Sequence, residues 1–97
     1  MKPLILNLKS EYFDAIAAGT KTEEFRLHTG YWVKRLVELP SGNAREFSCV
    51  VLRKGYPKKG TTDREIVRPW RGWRLAGITH PHFGPDEVTV FAIKLAK

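Results

Sequence analysis

The chain has 97 residues, 42% of them hydrophobic and 11% aromatic, which suits one domain with one core and excludes wholesale disorder. Seventeen Lys and Arg against ten Asp and Glu give a formal net charge of +7, and such a surplus favours a polyanionic partner. No apolar run approaches the length of a membrane span, and the opening Met1-Lys2-Pro3-Leu4-Ile5-Leu6-Asn7 is too short an apolar run for a signal peptide, so a cytoplasmic protein with no membrane partner is expected.

In chain order, Leu4-Ile5-Leu6-Asn7-Leu8 reads as a short, mostly buried strand. A helix follows, with Ser10 as its expected N-cap, Glu11 in the first turn and Tyr12, Phe13, Ile16 and Ala17 at helical spacing. Gly19 is its expected C-terminal stop. Residues 23–27 alternate as a strand does, which puts Glu24 and Arg26 on one face and Phe25 and Leu27 on the other, the expected core face. Val33, Leu36 and Val37 have the i, i+3, i+4 spacing of a short helix, and Pro40-Ser41-Gly42-Asn43 reads as a loop.

The clearest strand is Phe47 to Arg53. Within it the single cysteine, Cys49, excludes an internal disulfide and a multi-cysteine zinc site, and its apolar neighbours predict a buried structural thiol. Residues 55–62 read as an exposed loop, 64–70 as an extended basic segment, 73–78 as a strand, His80 to Pro85 as a turn and 88–95 as a final strand. About five strands, two short helices and no repeating strand-helix unit predict an α+β chain built as a small, partly closed β-barrel spanning residues 1–97 as a single domain.

The charge is concentrated. From Arg53 to Arg74 there are eight basic residues against two acidic ones, a local +6. Tyr56, Trp70 and Trp73 lie among these charges, beside Arg53, Arg71 and Arg74. Rings that stack on bases and cations that hold phosphates are the means of a single-strand binder. The alternatives are a solvated basic surface and tryptophans that serve the core, and at least one Trp is expected to be buried. His80 and His82 flank Pro81 with no cysteine nearby, so local hydrogen bonds are expected of them and no metal or cofactor is implied. The glycines at 55 and 60 are followed by Thr61 and make no phosphate-binding loop.

One stretch carries a resemblance. The Leu4–Leu8 strand, the helix ending at Gly19, and then Gly19, Lys21, Glu24 and Arg26 in the pattern Gly-x-Lys-x-x-Glu-x-Arg resemble the ASCH domain family of the PUA-like superfamily. Trp32 and the Val50–Arg53 strand also sit where that family would place them, so the resemblance spans essentially the whole chain. It implies a PUA-like barrel with a cleft and a role in binding RNA or another nucleic acid. The residues support a site in their own right. Glu24 and Arg26 lie about 7 Å apart along a strand, close enough to pair with each other as a structural ion pair or to address one ligand. Arg offers a planar fork for phosphate or a base edge, and Glu can accept from an exocyclic amine. Lys21 can present its ammonium at the mouth of a cleft.

The expected partner is therefore a nucleic acid, RNA first, or a modified nucleoside. The expected binding residues are Lys21, Glu24, Arg26, Trp32, Arg53, Tyr56, Trp70, Arg71 and Trp73. A second function is also implied by the resemblance: a small hydrolase, either an amidohydrolase of acylated cytidine nucleosides or a ribonuclease, with Lys21 and Glu24 as catalytic groups. The amidohydrolase pattern has a threonine where this chain has Glu24, and the sequence departs from it there. Nothing in the sequence bears on oligomeric state.

Overall fold

The computed structural model describes residues 1–55 and 65–96. The expected exposed loop and Tyr56 therefore fall outside the described residues, apart from Gly55. Within them the chain is α+β, with two α-helices, eight strands and one 3-10 turn. It divides into two units, each assembled from separate stretches of sequence. The first comprises Met1–Thr22, Glu46–Trp70 and the chain from Leu95; the second comprises Glu23–Arg45 and Arg71–Lys94.

The first unit is a three-stranded sheet in the order β1 (Leu4–Leu8), β5 (Val50–Lys54), β6 (Glu65–Arg68), with helix α1 (Ser10–Ala17) contacting β5. β1 runs parallel to β5 and β6 antiparallel to it. Alternation explains the core. Leu4, Leu6 and Leu8 point inward opposite Val50 and Leu52, and Phe13 and Ile16 of α1 are buried with them. Lys54 lies at the end of that inward row and reaches Asp14 of α1 at 3.0 Å. α1 ends in a Schellman arrangement: Gly19 N–H donates to Ile16 O and Thr20 N–H to Ala15 O, and Gly19 adopts φ 81°. The glycine stop read from the sequence thus has its geometric reason.

The second unit is a sheet in the order β2 (Glu23–Leu27), β8 (Val88–Lys94), β7 (Trp73–Ile78), antiparallel throughout. Val90, Phe91, Ala92 and Ile93 of the central strand are all buried, so both faces of the sheet are covered. Helix α2 (Gly30–Leu36) follows β2, and the two-residue strands β3 (Val37–Glu38) and β4 (Asn43–Ala44) pair around the loop between them. Thr29 accepts from Trp32 N–H at the start of α2, a long contact of 3.4 Å. At the other end Leu36 O accepts from Arg45 N–H and from the Trp73 indole N–H, both at 2.9 Å. Helix termini leave such carbonyls without intrahelical partners, and here the tertiary structure supplies them.

Several expectations are corrected. Among the described residues no sheet closes into a barrel, and the strands number eight rather than about five, because three were hidden. β3 and β4 are too short to show a pattern, and β6 lies in the charged segment read only as extended. The helix begins one residue earlier than read: Tyr12 and Phe13 N–H both donate to Lys9 O, so Lys9 holds the N-cap position and Ser10 is the first helical residue. β5 starts at Val50, and Phe47 lies before it. Cys49 is a half-buried free thiol rather than a buried one. The burial assigned to residues 23–27 is also reversed in part. Glu24 is the most buried residue of β2, and Phe25 and Leu27 are half-buried. Cross-strand pairing is the cause, since Glu24 lies opposite Ile93 and Arg26 opposite Phe91, both wholly buried.

A Cβ at Gly19 would meet nothing within 4 Å, so only the left-handed backbone resists substitution. Gly19→Ala should lower stability by about 1–2 kcal/mol, with Gly19→Asn in between because Asn tolerates that conformation. Urea unfolding of the three proteins checks the order, and an alanine variant as stable as the parent would rule out a left-handed helix end.

Candidate functional site

The sheet of the second unit places Glu24 and Arg26 side by side because they are two residues apart on an extended strand. Arg26 Nη2 donates to Glu24 Oε2 at 2.8 Å. The ion pair read as one option in the sequence is therefore formed. Its side chains are only 20% and 9% exposed respectively, so a bare carboxylate at Glu24 would be heavily penalised and the guanidinium offsets that penalty. Trp32 of α2 completes the group: the Arg26 guanidinium carbon lies 5.2 Å from its ring centroid. The cation is thus held by a carboxylate and an indole together.

Other residues of the same unit surround this group. The His28 ring stacks on Phe91 with centroids 5.0 Å apart and planes at 28°. Trp73 meets Phe91 edge-on at 4.9 Å, and its indole N–H is spent on Leu36 O. That makes Trp73 a half-buried tether between sheet and helix. Arg35, one helical turn on from both aromatics, lies 5.4 Å from the Trp32 ring and 5.4 Å from the Tyr31 ring.

The remaining expected site residues are divided between the two units. Lys21 belongs to the first unit, where its ammonium lies 5.4 Å from the Tyr12 ring centroid and its N–H donates to Ala15 O. Arg53 sits in that unit too, 3.3 Å from its cross-strand neighbour Glu65. Trp70 is half-buried there, edge-on to Phe47 at 4.9 Å. Arg71 belongs to the second unit and is exposed. Arg74 makes two hydrogen bonds to Glu23, of 3.0 and 2.9 Å, across β8, where Arg74 lies opposite Ala92 and Glu23 opposite Lys94. That hydrogen bonding, and then the Glu23 charge, raise the Arg74 guanidinium above its ordinary value. Arg53, Lys54 and Arg74 of the 53–74 segment thus answer to carboxylates.

In the 3-10 turn Pro81–Phe83, His80 Nδ1 accepts from His82 N–H at 3.1 Å, the local hydrogen bond expected of this pair. Among the described residues no three His, Cys, Asp or Glu side chains gather as metal ligands would. No helix among them is long and apolar enough to cross a membrane.

Tyr31, Arg35 and His28 were not singled out by sequence reasoning. For Arg35 the signal was present, since it follows Tyr31 by four residues and Trp32 by three, the spacings at which helical side chains meet. For His28 it was absent, because its stacking partner Phe91 is remote in sequence.

No protein-family model, curated protein or solved structure matches this chain.

The two ion pairs of β2 should differ in strength. A double-mutant cycle on Glu24 and Arg26 with alanine should give a coupling of about 1–2 kcal/mol, as expected for a charged hydrogen bond that is largely shielded. The Glu23–Arg74 cycle should give a smaller value, because Arg74 is 53% exposed and water screens the pair. Thermal or urea unfolding measures both, and equal couplings would show that burial does not set the strength of the Glu24 pair.

Proposed function

We propose that this protein is a nucleic-acid-binding domain of the ASCH kind, PUA-like in ancestry, that receives one nucleotide of RNA against the face where Glu24, Arg26 and Trp32 meet. The observation that carries the reading is the Arg26 guanidinium, held by Glu24 at 2.8 Å and lying over Trp32 at 5.2 Å. A guanidinium fixed in this way can present a planar fork to a phosphate or a base edge, and its neighbouring carboxylate suits an exocyclic amine. The net charge of +7 and the Gly19, Lys21, Glu24, Arg26 pattern support the same reading. The base is read at its edge by Glu24 and Arg26.

Fluorescence anisotropy with a labelled single-stranded RNA tests this. The logarithm of the affinity should fall linearly with the logarithm of salt concentration. Arg26→Lys should keep that attraction and lose selectivity among bases, since an ammonium has no planar fork. Arg26→Ala should weaken binding roughly 5- to 100-fold, with circular dichroism confirming that the variant is folded. Absence of affinity, or affinity indifferent to salt, defeats the proposal. Hydrolysis of acetylated cytidine that vanishes in Lys21→Ala would replace it with the amidohydrolase reading.

A further inference from the structure

Tyr31, Trp32, Arg35 and Arg26 form one continuous cation–aromatic cluster in the second unit. The Trp32 indole has a guanidinium carbon near it from the strand, Arg26 at 5.2 Å, and another from its own helix, Arg35 at 5.4 Å. Arg35 also lies 5.4 Å from the Tyr31 ring, and Tyr31 meets Trp32 edge-on at 5.2 Å and 89°. The cluster grades outward. Arg26 is 20% exposed at its side chain, Trp32 is half-buried, and Tyr31 is 62% exposed. A tyrosine this open contributes little to a core, and a stacking role suits its position better.

Charge points the same way. α2 carries Lys34 and Arg35 and no acidic residue from Gly30 to Leu36. Cations interleaved with exposed rings are how proteins hold a single strand: bases stack on the rings while guanidinium groups take the phosphates. A duplex keeps its bases stacked on one another and would have no use for the Tyr31 ring.

We infer that the exposed ring of Tyr31, flanked by Arg35, is a second stacking subsite that takes the base next to the one at Arg26, so that the ligand is a single-stranded polymer rather than a free nucleoside or mononucleotide. This rests on the reading of the Arg26 site as a nucleotide site and adds to it the length and strandedness of the ligand. Arg35 neutralises the phosphate between the two bases. The support is hydrogen-bonded at both ends: Thr29 caps the start of α2, and Arg45 and Trp73 bond to its last carbonyl.

The test compares labelled oligouridylate with uridine monophosphate as ligands of the intact chain. Tyr31→Ala should weaken oligouridylate binding roughly 5- to 100-fold, the loss expected for one stacked base, and leave the monophosphate affinity unchanged. Tyr31→Phe keeps the ring and should bind as the parent does. Arg35→Ala should weaken the oligomer and lower the slope of affinity against salt by about one. Arg26→Ala should weaken both ligands. Tyr31 and Arg35 are exposed, and thermal melts should show all their variants folded. If Tyr31→Ala and Arg35→Ala bind oligouridylate as tightly as the parent does, the subsite is refuted while the Arg26 site stands. A parent protein that binds the monophosphate as tightly as the oligomer also refutes it. A parent that binds neither defeats both readings, and one that binds only anionic vesicles through Tyr31 assigns the ring to a lipid surface instead.

Discussion

The arrangement of the second unit depends on β8. Its four consecutive buried residues, Val90 to Ile93, lie between β2 and β7, and strand alternation then assigns every neighbour to one of two faces. Glu24 and Arg26 share a face with Ile93, Phe91 and Trp73; Glu23 and Arg74 share the other with Ala92. A shift of one residue between β2 and β8 would exchange those sets, placing Glu23 where Glu24 now lies and removing Arg26 from Trp32. The register is pinned because a buried carboxylate is tolerable only beside its guanidinium.

The same face shows how a polar site is accommodated on an apolar support. Phe91 is wholly buried and receives His28 on one side and the edge of Trp73 on another. Trp73 in turn satisfies a helix-end carbonyl, so the indole contributes both apolar area and a hydrogen bond. The helix so fastened is the one that presents Tyr31, Trp32 and Arg35. A hydrogen-bonded end and exposed side chains are thus combined on seven residues, which suits the proposed nucleotide site because ligand binding then spends less of its free energy on ordering the protein.

Much of this was readable in the residues, and the failures have physical causes. The strand from Trp73 to Ile78 and the left-handed stop at Gly19 were evident, because alternation and a glycine after a helical run are local signals. Alternation at residues 23–27 correctly put Glu24 and Arg26 on one face. It could not say which face would be covered, since burial is decided by β8 and by what packs on either side of it. β6 escaped notice because Ile66 and Val67 lie among charges, and β3 with β4 because two residues have no period. Which tryptophan of the basic segment is exposed was open for a related reason: the burial of an indole depends on a partner, for Trp73 Leu36 O, that is distant in sequence.

The position of β8 also has a consequence for biogenesis. The strand that holds β2 and β7 together follows both of them in the chain, and residues 28–87 separate it from β2. A ribosome adding roughly 5–20 residues per second leaves β2 without its partner for about 3 to 12 seconds after it is made. Throughout that interval the sheet cannot assemble, and the edge of β2 is open to any other extended segment. The charged residues Glu23, Glu24 and Arg26 on that strand make it a poor template for such pairing, so the side chains that later form the two ion pairs of β2 first serve as protection during synthesis.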